Sequence, residues 1–313
     1  MTKATVHVGI DLGGTKIAGV AMDRNFSVIR QVRQKTPRND YKATLKTIAS
    51  MIGILIEGQY DSVQIGIGIP GSIAPSTGSM QNANSTWLND RPLLRDLETE
   101  LGRPVRCEND ANCFVLSETN DGNATAAHTV FGVILGTGCG GGLTIGGKLI
   151  NGPRNIGGEW GHNPLPWPTV EELPGPLCWC GQHGCLETWL SGPALAADHA
   201  RVNTEQLLPE AIAARAKDGN SAAAATLARH ADRLARGLAH VVNIFDPDTI
   251  VLGGGLSDLD HLYRDLPDLM APYIFSVDKH VDIRPPKWGS TSGVRGAARL
   301  WQQETHNKRL SVR

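Results

Sequence analysis

Three cysteines and one histidine stand at a spacing that suits a metal ion. His162 precedes Cys178, Cys180 and Cys185 in the pattern H-x15-C-x-C-x4-C. One imidazole and three thiolates form the ligand set of a closed structural Zn²⁺ site, with no position left for water. We therefore expect zinc to clamp the loop 159–187 and to orient Glu159, His162 and Glu187. The alternative is a group of buried free thiols.

Glycine clusters at the ends of three apolar segments, in "DLGGTK", "GTGCGG" and "GGG". A backbone without Cβ atoms lets N–H groups approach an anion, although such turns also occur in ordinary hairpins. The first two predict phosphate contacts, with Asp11 placed for Mg²⁺, and the third predicts contact with a base or ribose. The predicted residues are Asp11, Gly13, Gly14, Thr15, Lys16, Gly136, Thr137, Gly138, Gly140, Gly141, Gly253, Gly254 and Gly255.

The "GTGCGG" run also satisfies the dinucleotide fingerprint G-x-G-x-x-G. That fingerprint opens a helix, whereas the following residues, Leu143 to Ile145, have the pattern of a strand and are followed by a glycine turn. This context argues against a nicotinamide-linked dehydrogenase and favours a second phosphate-binding hairpin.

Asp110, in "ENDAN", follows a short predicted strand near Val105. An Asp at that place is either a helix N-cap or a general base that accepts a proton from a hydroxyl nucleophile. Asn84 and Asn109 could supply amide groups to a polyol, or they could be turn formers. Our hypothesis is that Asp110 is a general base and that Asn84 and Asn109 bind a polyol.

Hydrophobic periodicity places these residues on two similar halves. Alternation over 6–10 and 17–22 predicts a hairpin, Leu45 to Leu55 predict an amphipathic helix, and the pattern recurs from Thr129 onward. We expect a small lobe over 1–117, a large lobe over 118–297, a cleft between them, and a helix over 298–313 that returns to the small lobe. Five prolines between 164 and 176 exclude regular structure from the insertion.

Composition excludes several other classes. A formal net charge of −1 disfavours extended nucleic acid binding, and no apolar run is long enough to span a membrane. Six cysteines in 313 residues are too few for a disulfide framework. We therefore expect a cytoplasmic protein with a small-molecule ligand and no membrane or nucleic acid partner.

The motifs together resemble the ROK family (repressors, open reading frames and kinases), and within it the bacterial fructokinases more than the N-acetylglucosamine kinases. The similarity runs from about residue 6 to residue 300 and rests on "DLGGTK", "IGIPG", "NANSTWLN", "ENDANC", "LGTGCGGG", "GEWGHNPLPW", "CWCGQHGCLE", "IVLGGG" and "SGVRGAA". It implies a two-lobed, actin-like and ribonuclease-H-like α/β ATPase fold with a structural zinc insertion, in a homodimer.

The resemblance also implies a reaction, the phosphorylation of a hexose 6-hydroxyl by Mg-ATP. Asp110 is then the catalytic base, and the sugar contacts are Asn84, Asn109, Asp110, Glu159, His162 and Glu187. Fructose is the expected sugar, and the alternatives are N-acetylglucosamine, N-acetylmannosamine and glucose. A non-catalytic, sugar-sensing transcriptional regulator is the alternative from another class. It is disfavoured because only five residues precede the first predicted strand.

Overall fold

The computed structural model describes residues 5–58 and 60–303, which form two compact units. Unit 1 contains the described residues up to Ser117, together with 152–155 and those from Gly293 onward. Unit 2 contains 118–151 and 156–292. Compared with the division expected at 117/118, unit 1 additionally takes 152–155 and 293–297.

Unit 1 is built on a five-stranded sheet of order β3-β2-β1-β4-β7. Strand β1 pairs antiparallel with β2, as the predicted hairpin requires, and parallel with β4. Short strands β5 and β6 form a separate sheet. The elements are β1 (Thr5–Leu12), β2 (Lys16–Met22), β3 (Val28–Lys35), α1 (Tyr41–Leu55), β4 (Ser62–Ile69), β5 (Ser72–Ile73), β6 (Met80–Gln81), α2 (Leu93–Leu101), β7 (Val105–Asn109) and α3 (Asp110–Asp121), which begins in unit 1 and ends in unit 2.

Unit 2 repeats the same plan. Its five-stranded sheet has the order β10-β9-β8-β11-β12, and β8 again pairs antiparallel with the next strand and parallel with β11. The predicted similarity of the two halves is therefore confirmed in their topology. The elements are β8 (Thr129–Leu135), β9 (Cys139–Ile145), β10 (Lys148–Leu149), α4 (Glu187–Leu190), α5 (Gly192–Asn203), α6 (Pro209–Lys217), α7 (Ser221–Phe245), β11 (Thr249–Gly253), α8 (Asp260–Met270) and β12 (Asp282–Arg284).

The glycine-rich run before β9 leads into a strand, as the sequence predicts, so the context of a dinucleotide fingerprint is absent there. The predicted amphipathic helix α1 buries most of its apolar residues, and so does the long helix α7. Near the end of α7, 74% of Ile244 is exposed.

Residues 150–186, all described, contain no α-helix or ladder strand, as the prolines predict. An ion-pair cluster stabilises this insertion. Arg236 of α7 donates to both carboxylate oxygens of Glu172 at 2.8 Å and to the carbonyl oxygen of Trp167, also at 2.8 Å. Although burial alone would raise it, hydrogen bonds from Arg236 and Arg233 lower the pKa of Glu172 to about 2. The cluster joins the insertion to the core of unit 2.

Helix α9 is Ser292–Ala298 and is followed by a 3-10 turn at Leu300–Gln302. Of the helix predicted over 298–313, residues 304–313 lie outside the described residues. The sequence pattern did not indicate α9, because it contains two glycines and glycine is a poor helix former. Packing requires one of them, since a Cβ at Gly296 would lie 1.7 Å from the carbonyl oxygen of Cys113.

Among residues 5–58 and 60–303, no helix is both long and apolar enough to cross a membrane. None of the six cysteines, all of which lie in the described residues, forms a disulfide bond.

Candidate functional site

Two half-buried carboxylates lie at one edge of the unit 1 sheet. Asp11 lies near the end of β1, and Asp110 directly follows the parallel strand β7. Burial, and after it the negative charge of Asp110, raises the pKa of Asp11 to about 7, against the opposite effect of Lys16. Burial also raises the pKa of Asp110 to about 6, against hydrogen bonds from the amides of Ala111 and Asp110 and from the Asn109 side chain. The structure thus brings the predicted magnesium ligand and the predicted base together.

This pair has the chemistry that a divalent cation requires. Two carboxylates that repel each other in a desolvated place are stabilised by a hard cation such as Mg²⁺, which prefers oxygen ligands. The Asp11 carboxylate also lies beside bare backbone, because a Cβ at Gly68 or Gly293 would be 3.7 Å from one of its oxygens. The residues present therefore fit Mg²⁺.

Asn109, rather than Asp110, is the main cap of α3. Its Oδ1 accepts from the amides of Ala111 at 2.9 Å and Asn112 at 3.3 Å, and its Nδ2 donates to the carbonyl oxygen of Gly71 at 3.0 Å. Asp110 Oδ1 accepts from the amide of Ala111 at 2.8 Å. The capping that the sequence offered as an alternative role for Asp110 is thus largely performed by its neighbour.

The first glycine loop is a tight turn between β1 and β2. The amide of Gly13 donates to the carbonyl oxygen of Lys16 at 3.1 Å, and a Cβ at Gly13 would lie 2.9 Å from that same oxygen. Thr36, just after β3, stabilises the turn because its hydroxyl group donates a hydrogen bond to the carbonyl oxygen of Gly13 at 2.6 Å. Thr15 and Lys16 are exposed. Sequence reasoning missed Thr36, because its role depends on the pairing of β2 with β3.

The second glycine loop is held from two sides within unit 2. The carbonyl oxygen of Gly136 accepts from the amide of Gly192 at 2.8 Å, at the start of α5. Glu187 Oε2 accepts from the amide of Cys139 at 3.0 Å. A Cβ at Gly138 would lie 2.6 Å from this Glu187 oxygen, so glycine there allows the carboxylate to approach the loop.

The third glycine run, after β11, lies against the second loop. Gly254 has a φ of +80°, and a Cβ on it would lie 2.4 Å from the carbonyl oxygen of Leu135, the residue before the second loop. Both constraints require glycine. A cavity of about 630 Å³ in unit 2 is lined by charged and apolar groups of α6, α7, α8 and the turn before α8, among them Lys217, Leu227, Asp258, His261, Arg264 and Asp265.

The predicted metal ligands form one cluster in unit 2. His162 Nδ1 and the sulfur atoms of Cys178, Cys180 and Cys185 all lie within 4.8 Å of one another. Cys178 Sγ is 3.6 Å from His162 Nδ1, and Cys180 Sγ is 3.6 Å from Cys185 Sγ. A tetrahedron with Zn–S bonds of about 2.3 Å has sulfur–sulfur edges of about 3.8 Å, so these four atoms fit Zn²⁺.

His183, the other histidine of this segment, does not belong to the cluster. Its Nδ1 lies 3.0 Å from the carbonyl oxygen of Gly175. The preference for His162 over His183 in the ligand set is therefore confirmed by the geometry.

The predicted sugar contacts are divided between the units. Asn84, Asn109 and Asp110 belong to unit 1, where Asn84 is exposed and its Oδ1 lies 3.5 Å from the hydroxyl of Ser85. Glu159, His162 and Glu187 belong to unit 2 and are half-buried. The sequence analysis missed Trp179, whose indole N–H donates to Glu187.

The sequence is similar to known proteins over nearly its whole length. The ROK family model matches residues 7–304. An N-acetyl-D-glucosamine kinase of Haemophilus influenzae (strain 86-028NP) is 36% identical over 301 residues, which cover 95% of this chain and 99% of that protein.

Two solved structures share the fold and are also similar to this chain in sequence. The crystal structure of a ROK hexokinase from Thermus thermophilus aligns with a TM-score of 0.80 at 31% identity, over 94% of this chain and 96% of that chain. A ROK family glucokinase from Streptomyces griseus, in complex with glucose and AMPPNP, aligns with a TM-score of 0.79 at 28% identity, over 94% of this chain and 98% of that chain.

Proposed function

The chain belongs to the ROK family and is one of its sugar kinases, and we propose that it transfers the γ-phosphoryl group of ATP to the 6-hydroxyl group of N-acetyl-D-glucosamine. The observation that carries the proposal is the pair of Asp11 and Asp110, which are half-buried at the ends of the parallel strands β1 and β7, close to a tight glycine turn. A base, a cation ligand and bare backbone amides are what phosphoryl transfer to an alcohol requires.

In the proposed reaction, Asp110 accepts the proton of the sugar hydroxyl group. The oxygen atom then forms a bond to the γ-phosphorus as the bond from that phosphorus to the bridging oxygen breaks, and ADP leaves with the electron pair. A carboxyl group whose pKa lies near 6 is ionised at neutral pH and is a better proton acceptor than an ordinary aspartate.

Residues around the phosphates stabilise charge in this proposal. The amides of the loops at 13–16 and 136–141 would face phosphate oxygens, and Asp11 would hold Mg²⁺ directly or through water. When bound, Mg²⁺ supplies positive charge that offsets the charge developing on the transferring phosphoryl group. Lys16, exposed at the end of the first loop, would add a second cation.

The adenosine group is assigned to the third glycine run, Gly253 to Gly255. Gly254 holds the end of β11 against the end of β8, which offers flat backbone next to the second phosphate loop. Asp258, His261 and Arg264, which follow this glycine run in the sequence, line a cavity that offers polar groups to the adenine base.

The sugar is assigned to Asn84, Asn109, Glu159, His162 and Glu187, in addition to Asp110. His162 has a defined part in this assignment. Its Nδ1 lies 3.6 Å from Cys178 Sγ in the metal cluster, which leaves Nε2 for a ligand. An imidazole that binds a metal through Nδ1 is neutral and carries its proton on Nε2, which can donate to a sugar oxygen.

Fructose, the sugar expected from the sequence motifs, is not supported as the preferred substrate. The N-acetyl-D-glucosamine kinase of H. influenzae matches the chain over nearly its whole length at 36% identity. The motifs "NANSTW" and "GHNPLPW" therefore did not separate the two sugars.

Two further assignments complete the proposal. Zinc in the cluster of His162, Cys178, Cys180 and Cys185 is structural, because four protein ligands leave no open position. The homodimer implied by the resemblance is supported by apolar side chains exposed on unit 2, namely Ile244, Phe275 and Val277. The amide of Phe275 donates to Asn243 Oδ1 at 2.9 Å, which places Phe275 near the end of α7, and exposed apolar groups that lie together are typical of protein interfaces.

A coupled assay of ADP formation with N-acetylglucosamine, N-acetylmannosamine, glucose, mannose and fructose tests the proposal. We expect the highest kcat/KM with N-acetylglucosamine, by at least tenfold over fructose. A higher kcat/KM with fructose would contradict the substrate assignment. The absence of ADP formation with every sugar would contradict the kinase assignment and favour a regulator that only binds sugar.

A further inference from the structure

The indole of Trp179 connects the metal cluster to the second glycine loop. Trp179 stands between two of the clustered cysteines, and its ring contacts His162 edge to face, with ring centroids 4.9 Å apart. Its Nε1–H donates to Glu187 Oε1 at 2.7 Å. Because Trp179 is 53% exposed, burial does not force this hydrogen bond, since water could accept from the indole instead.

Glu187 is held at both ends of its carboxylate. Oε1 accepts from Trp179, and Oε2 accepts from the amide of Cys139 at 3.0 Å. Two donors on different oxygens fix the rotation of the carboxylate plane, which one donor would leave free. Each oxygen has two lone pairs, so the pair of bonds leaves acceptor capacity on both oxygens for a ligand.

We propose that Trp179 is a positioning residue for the kinase reaction, which holds the Glu187 carboxylate in the orientation that accepts hydrogen bonds from the sugar hydroxyl groups. The inference rests on the proposed function, in which Glu187 contacts the sugar. Trp179 itself acts through Glu187. If the indole N–H of Trp179 is removed, the Cys139 amide still donates to Glu187 Oε2, but Oε1 no longer has a donor that fixes its direction.

The expected kinetic consequence is confined to the sugar. A contact made equally in the ground state and the transition state changes KM and leaves kcat unaltered. In Trp179→Phe, which keeps the ring and removes the N–H, we expect the KM for the sugar to rise about five- to tenfold. The values of kcat and of the KM for ATP should stay within about twofold.

A matched variant and a double mutant separate positioning from stability. Trp167→Phe alters another exposed tryptophan of the same insertion, whose ring contacts Tyr273 rather than Glu187, and its KM should stay within about twofold. Metal content should equal that of the wild-type protein in both variants. In Glu187→Gln, adding Trp179→Phe should change the sugar KM less than about twofold, because the two residues act as one unit.

An NMR measurement tests the hydrogen bond without activity. Of the seven indole N–H signals of the chain, the one lost in Trp179→Phe belongs to Trp179. It should move in Glu187→Gln and on addition of N-acetylglucosamine, while the signal lost in Trp167→Phe should not. An unmoved Trp179 signal in Glu187→Gln, or an unchanged sugar KM in Trp179→Phe, would overturn the proposal. If the wild-type protein phosphorylates no sugar, the proposed function fails, and the indole signal alone decides whether Trp179 positions Glu187.

Discussion

The negative charge of Asp110 raises the pKa of Asp11, although the two residues are 99 positions apart in the sequence (110 − 11). They meet because β1, β4 and β7 run parallel and end at the same edge of the unit 1 sheet. The pair stores unfavourable electrostatic energy that a cation would relieve. The folded protein therefore keeps its proposed magnesium site at a cost in stability.

That cost predicts the pH dependence of an Asp11→Asn variant. The pKa of Asp11 is higher in the folded protein than in the unfolded chain, so its contribution to stability is complete at pH 3 and is lost as the pH rises through about 7. Without divalent cations at pH 8, Asp11→Asn should therefore be more stable than the wild-type protein by on the order of 2–4 kcal/mol, since each pKa unit corresponds to about 1.4 kcal/mol.

Thermal or urea unfolding in EDTA at pH 4.5 and pH 8 measures this effect. The advantage of Asp11→Asn should shrink at the lower pH, and Mg²⁺ with ATP at pH 8 should stabilise only the wild-type protein. Asp218→Asn, at an exposed position after α6, is the control and should show no such difference. Equal stability of Asp11→Asn and wild type at pH 8 would contradict the burial of this charge.

The four clustered ligands predict one zinc ion per chain. Cys178→Ala should lose the metal and several degrees in Tm, because the insertion 150–186 has few backbone ladders of its own. Cys107→Ala, whose thiol lies outside the cluster, should keep the metal. Elemental analysis after purification without added metal measures both. A metal-free wild-type protein whose Tm is unchanged by chelator would refute the assignment.

Substitution by alanine should have opposite effects at Gly66, which packs against α9, and at Gly53, which is exposed. Gly9 and Gly66 are register partners in β1 and β4, and a Cβ at Gly66 would lie 1.9 Å from the carbonyl oxygen of Ala297. Gly66→Ala should cost about 3 kcal/mol or more, because backbone must move to admit the methyl group.

Gly53→Ala is the matched control, because Gly53 is exposed within α1 and a Cβ there would meet nothing within 4 Å. It should stabilise the protein by about 0.5–1 kcal/mol, since alanine favours a helix. Urea unfolding of both variants compares them directly. A Gly66→Ala protein as stable as wild type would show that α9 does not press against these strands.

Local patterns predicted much of the fold and of the site. Strand ends, the two glycine-rich hairpins and the cysteine and histidine cluster all depend on residues close in sequence, such as Asp11 with Gly13, or Cys178 with Cys180. Contacts between distant segments were beyond that reasoning. Glycine at 66 was not recognised as a packing position, the link from Trp179 to Glu187 was missed, and the glycines of α9 concealed the helix Ser292–Ala298.

The identity of the sugar could not be predicted from the sequence for a different reason. Whether a pocket admits an acetamido group depends on volume, and volume is a property of many side chains together. No spacing of Asn84, Asn109 or Glu187 in the sequence encodes it. The motifs were therefore sufficient to predict a sugar kinase and insufficient to separate fructose from N-acetylglucosamine.

The turnover of Asp110→Asn with N-acetylglucosamine and Mg-ATP tests the central claim most directly. Asparagine keeps the shape of the side chain and removes its ability to accept the proton, so kcat should fall at least about 100-fold. Substrate binding, measured by calorimetry, should change far less, and the fold should remain intact. A variant that keeps near-wild-type turnover would show that Asp110 is not the base.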